Sequence, residues 1–130
     1  MAYSFFQPNP RGKAVGDCTV RAIAKATGKD WDSVYWGLCI EGNLAADMPS
    51  SNAVWGAYLK KQGFRRELVK DDCPECYTVA DFAKEHQTGV FILALSGHVV
   101  CVEDGQLFDS WDSSGETPIY FWTREDINDA

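Results

Sequence analysis

The spacing of apolar positions changes character near Gly89: helical before it, strand-like after it. CTVRAIAKAT (18–27) sets Val20, Ile23, Ala24 and Thr27 on one face, with Asp17 before it as a cap and Gly28 after it as a left-handed stop. A second helix is expected from Trp31 to Leu38, capped by Asp30, with Trp31, Val34, Tyr35 and Leu38 inward. GNLAADMPSSN (42–52) reads as a loop. Its Ser50 and Ser51 cap a third helix bearing Val54, Trp55, Tyr58 and Leu59 and halted by Gly63. Thr78 and Asp81 form a capping-box pair at the start of a short fourth helix running to His86. VFILAL (90–95) is an unbroken apolar run, as expected of a strand covered on both faces. HVVCV (98–102), QLFDSW (106–111) and IYFWT (119–123) complete the strand-like set. Residues 1–16, punctuated by Pro8, Pro10, Gly12 and Gly16, read as an extended arm lying on the domain. Helices first and strands second predict an α+β fold, N-terminal helices packed on a C-terminal antiparallel β-sheet.

Composition narrows this further. The 130 residues, 45% hydrophobic and 24% charged, suit a single globular domain over 1–130 and exclude disordered or low-complexity classes. Twelve Lys and Arg against nineteen Asp and Glu leave a net charge of −7, a field that repels phosphate backbones and disfavours nucleic acid as a partner. No run of about 18 apolar residues is available to cross a membrane, and the first residues lack the basic and apolar regions of a secretory leader. Five irregularly spaced cysteines point to reduced thiols and a cytoplasmic setting.

Chemistry concentrates in Cys18, His98 and Asp109. A cysteine in the first turn of a helix meets unpaired backbone N–H groups and the positive end of the dipole, which favour its thiolate. Asp17 opposes this by like-charge repulsion, so full activation calls for a basic partner. His98 opens a strand, and Asp104-Gly105 signals a two-residue type I′ hairpin just beyond it. That turn pairs Glu103 with Gln106 and Val102 with Leu107. His98, Val100, Leu107, Asp109 and Trp111 then share one face, Asp109 lies diagonal to His98, and Asp112 falls on the other face. A carboxylate there fixes the imidazole tautomer, leaving the other ring nitrogen to take the proton of Cys18.

PNPRGKAVGDCTVRAIAKATGKDWDSVY and GHVVCVEDGQLFDSWDSS resemble small papain-like cysteine-peptidase-fold proteins encoded by bacteria and their phages. The resemblance covers the N-terminal third and residues 96–114. It implies a papain-like fold with Cys18 as nucleophile, His98 as general base and Asp109 as its orienter. It further implies a protein or peptide substrate, no cofactor or metal, and residence in the cytosol of a bacterium or phage-infected host. An oxyanion hole would combine the Cys18 backbone N–H with an upstream side-chain amide. Where the family carries an upstream glutamine this chain has Gly12, so Asn9 and Gln7 are the available amides, Asn9 preferred for its flanking prolines. The residues after the cysteine, Thr19 and Val20, depart from the cathepsin-type signature.

Other signals carry less. Cys73-Pro-Glu-Cys76 has the spacing of half a zinc site without a second pair and reads as two free thiols in a turn. The tryptophans read as core, except Trp111, which can shield the His98–Asp109 pair. Asp112, Ser113 and Ser114 read as turn chemistry.

Overall fold

The computed structural model describes residues 2–69 and 77–125. In chain order they form β1 (Ala2–Phe5), α1 (Cys18–Thr27), α2 (Trp31–Ala45), α3 (Asn52–Lys61), β2 (Arg65–Leu68), α4 (Val79–Glu85), β3 (Val90–Leu95), β4 (His98–Glu103), β5 (Gln106–Asp109) and β6 (Tyr120–Arg124). This is an α+β fold with four helices and one six-stranded sheet in the order β1-β5-β4-β3-β6-β2. Cys73 and Cys76 lie outside the described residues, so the pair read from their spacing is not part of this description.

The sheet is mixed, not antiparallel as the strand pattern suggested. The N-terminal arm supplies β1, which pairs parallel to β5 with Phe5 opposite Asp109. β1 is only AYSF, too short to alternate visibly. β2, RREL, is a second edge strand, antiparallel to β6 and exposed throughout, and no apolar pattern marks it. Both are defined by the ladder they join rather than by their own residues.

β3 holds the middle. Its alternate residues feed two cores: Ile92 and Ala94 pack with Val20, Ile23, Val34, Leu38 and Leu59 of α1–α3. On the other side Phe91, Leu93 and Leu95 pack with Val79, Phe82 and Ala83 of α4. Helices thus cover both faces of this strand, which accounts for its unbroken apolar run.

α1 and α4 start where the sequence signals them, and the Thr78–Asp81 capping box is fully formed. α2 runs seven residues beyond Leu38, through Gly42 and on to Ala45. Gly42 sits there because the following loop closes over it: an added Cβ would stand 2.8 Å from the Asp47 carbonyl oxygen. The outer face of α2 leaves Trp36, Ile40 and Leu44 exposed, so Trp36 is a surface residue and not core. Among the described residues no helix is long and apolar enough to cross a membrane.

Candidate active site

The hairpin between β4 and β5 sets the geometry. Asp104 and Gly105 both have positive φ, 51° and 77°, the requirement of a type I′ turn. The register pairs Glu103 with Gln106 and Val102 with Leu107, as the turn signal specifies. Continuing it toward the open end brings His98, at the start of β4, beside Asp109, at the end of β5. His98 Nε2 donates to Asp109 Oδ2 over 2.8 Å. Trp111 stacks on the imidazole, ring centroids 4.9 Å apart, and covers one side of it. Val100 and Leu107 of the same strands pack on the α4 side, while His98 and Asp109, at the strand ends, meet α1.

Cys18 is the first residue of α1 and is half-buried. The His98 side chain, the Val99 backbone and the Thr19 side chain are the neighbours that act on the Cys18 thiol. With His98 Nε2 committed to Asp109, Nδ1 is the ring nitrogen that remains for the sulfur. Burial resists ionisation of the thiol, but the hydrogen bonds and the facing imidazolium outweigh it, and the thiol's pKa falls below its ordinary value. Burial also opposes a charged His98. The hydrogen bonds to Asp109 and Cys18 and the charges of both prevail, and its pKa is pushed up to about 9. The two shifts favour the same state, a thiolate beside an imidazolium.

Asp109 has no exposed surface. Oδ2 accepts from His98 and from Ser113 Oγ at 2.6 Å; Oδ1 accepts from the Ser110 backbone N–H at 2.7 Å and from Arg21 Nη2 at 3.0 Å. Burial alone would raise its pKa, and the His98, Ser113 and Ser110 donors with the charge of His98 hold it below the usual carboxylate value. Even its backbone is tied: its carbonyl accepts from the Phe6 N–H at 2.8 Å and the Tyr3 hydroxyl at 3.2 Å. The N-terminal arm therefore buttresses the orienting residue.

Asp17 occupies the cap position of α1, but its side chain does not cap the helix. Its carboxylate accepts from Arg21 Nη1 at 2.7 Å and from Trp31 Nε1 at 2.9 Å. Arg21, 5% exposed, thus bridges two buried carboxylates, Asp17 and Asp109. The repulsion that Asp17 would exert on a Cys18 thiolate is offset by this cation one turn away.

Arg21 and Ser113 were not singled out by sequence reasoning. An arginine within small apolar residues, four positions after an aspartate, is the available signal for the first. Ser113 looked like turn chemistry, and only the fold of residues 110–119 turns it inward, where it is fully buried. Asp112 stays exposed and caps its own turn through the Ser114 N–H at 3.1 Å.

Gln7 and Asn9 leave β1 at the same end of the sheet as His98 and Asp109. Their side-chain oxygens fold the arm on itself: Gln7 Oε1 accepts from the Asn9 N–H at 3.1 Å, and Asn9 Oδ1 from the Arg11 and Lys13 N–H groups at 2.9 and 3.3 Å. Among the described residues no hydrogen bond joins either side chain to Cys18, His98 or Asp109. Nor do the described residues contain a group of three or more His, Cys, Asp or Glu arranged to hold a metal ion. Comparison with family models, with curated proteins and with solved structures finds no match to this chain.

Proposed function

We propose that the protein is a papain-like thiol hydrolase acting on amide, peptide or isopeptide bonds. Cys18 is the nucleophile, His98 the proton carrier and Asp109 the residue that orients it. The observation supporting this reading is the run of contacts from the Cys18 thiol, at a helix N-terminus, through His98 to a fully buried Asp109.

The steps follow from that arrangement. The thiolate adds to the substrate carbonyl, forming a carbon–sulfur bond and an oxyanion. The Cys18 backbone N–H and a side-chain amide, from Asn9 or Gln7, stabilise the oxyanion. As the carbon–nitrogen bond breaks, the imidazolium gives its proton to the leaving amine. Neutral His98 then takes a proton from water, which adds to the thioester and releases the acid and the thiolate. Asp109 accepts from Nε2 throughout and stabilises each imidazolium state. These steps call on no cofactor. The substrate is a protein or peptide in a bacterial or phage-infected cytoplasm.

Alkylation of Cys18 by iodoacetamide, followed by peptide mass spectrometry across pH, tests the reading. The expected rate is already high at neutral pH and flat well below the ~8.5 of a free thiol. His98→Ala should slow it about tenfold or more at pH 7, because an ordinary thiol is only a few per cent ionised there. Hydrolysis should decline as pH rises through about 9, where His98 loses the proton it must donate. Titration of Cys18 as a free thiol would leave a catalytically silent interaction module. Amide-to-acid conversion or transfer without chain cleavage would instead identify a deamidase or transglutaminase-like enzyme.

A further inference from the structure

At the edge of the sheet farthest from β1, a groove of about 770 Å³ lies between β2 and α3. α3 turns small residues to it, Ala53, Gly56 and Ala57, with exposed Lys60 one turn on. Phe64 and Trp122, both buried, form its inner wall. The ladder register sets Arg66 beside Trp122 and Leu68 beside Tyr120, so Arg66 and Leu68 share the α1–α3 face of the sheet. Arg66 lies over the Tyr120 ring, 4.3 Å from its centroid, a contact that steadies the guanidinium. Arg65, the third cation of the lining, pairs with Glu67 at 3.4 Å. Among the described residues neither Lys60 nor Arg66 has a carboxylate partner, and no acidic residue lines the groove. In a chain of net charge −7, this is a locally positive surface.

The backbone of β2 narrows the choice of occupant. The Val69 N–H donates to the Ile119 carbonyl at 3.4 Å, so the N–H and C=O groups of Arg65, Glu67 and Val69 face β6. Those of Arg66 and Leu68 face outward, and among the described residues no strand pairs with them. An unpaired edge is a template for one more strand. Only a polypeptide can continue a ladder, which separates this occupant from a nucleic acid or a small anion. Alternate side chains of an added strand fall beside Arg66 and Leu68, two residues apart, and fill the space that the small residues of α3 leave.

We propose that the β2 edge and the groove beside it form a docking site for an extended acidic segment of a partner protein, with Asp or Glu two residues from a large apolar side chain. The carboxylate meets Arg66 and Lys60, and the apolar side chain meets Leu68 and the groove wall. β4 lies three strands from β2, about 14 Å at ~4.8 Å per strand, so the docked segment stands apart from Cys18, His98 and Asp109. The site is therefore independent of the acylation reading, and its occupancy is read without turnover. Short threonine-based peptides serve as probes, with Glu and Leu, Lys and Leu, or Glu and Ser placed two residues apart. Each is titrated into the isotope-labelled full chain and followed through the backbone amide resonances.

The Glu–Leu peptide should move the Arg66 and Leu68 amides and bind roughly tenfold or more tighter than the other two. The double variant Lys60→Glu, Arg66→Glu, changed at two exposed positions, should reverse the charge preference and favour the Lys–Leu peptide. Ala53→Trp, also at an exposed position, should weaken the Glu–Leu peptide severalfold by filling the groove. Absence of any shift with ~1 mM Glu–Leu peptide overturns the proposal. So do shifts confined to residues away from β2 and α3, and a charge preference that survives the double variant. Movement of these amides with protein concentration alone assigns the edge to a second copy of this chain. Movement with a short oligonucleotide but not with the peptide assigns the cations to phosphate. Either result overturns the acidic segment as the occupant.

Discussion

Arg21 is the side chain on which the charges of the site depend. It is buried and touches one oxygen of Asp17 and one of Asp109, so its removal strands two carboxylates away from water. Breaking a buried pair by deleting one partner typically costs about 3–5 kcal/mol. Arg21→Met is expected to lose that much in urea unfolding. Arg21→Lys should recover only part, because a single ammonium cannot reproduce the guanidinium's reach to both carboxylates. Strand alternation did not foresee that His98 and Asp109 would both meet α1 while Val100 and Leu107 pack toward α4. The nearness of His98 to Asp109, by contrast, was legible at this scale because turn type and hairpin register follow local rules. Arg21 and Ser113 were not, since what makes them matter is a partner far along the chain.

At the scale of elements, the β4–β5 hairpin sets the register that brings His98 to Asp109. Gly105 carries φ of 77°, in the left-handed region where a Cβ is strained. Gly105→Ala should cost roughly 1–2 kcal/mol, read as a lower urea midpoint with an unchanged slope. The added Cβ would also stand 2.8 Å from the Gln87 side-chain oxygen, a flexible neighbour that can move aside. α4 was readable to its first residue because Val79 directly follows Thr78, whose side chain caps the helix; α1 starts at Cys18 as its pattern indicates, without a side-chain cap from Asp17. The end of α2 was misread, since its glycine and polar residues resemble a loop until the chain folds back over Gly42. Asp17 shows the converse: it sits in the cap position, yet Arg21 and Trp31 compete successfully for its carboxylate.

Across the whole molecule, the sheet separates two apolar cores, and Cys101 lies in the one beneath α1–α3 with no exposed surface. Burial pushes its thiol pKa up, so both access and ionisation oppose reaction. In the native protein iodoacetamide should modify Cys18 and spare Cys101. The Cys101 peptide should become labelled only as urea carries the chain through its unfolding transition, followed by mass spectrometry. Early labelling of Cys101 would mean that β4 opens locally, and the frame that holds His98 with it.

What the chain determined by itself is what short-range chemistry can specify: the helix starts, the central apolar strand, the type I′ turn and the nearness of His98 to Asp109. Each depends on residues within a few positions of one another. Tertiary structure alone decided that the N-terminal arm becomes a parallel edge strand, that Arg21 links two carboxylates, and that Ser113 turns inward. Those outcomes depend on pairing between distant segments, where hydrogen bonds and desolvation are settled only once the partners meet.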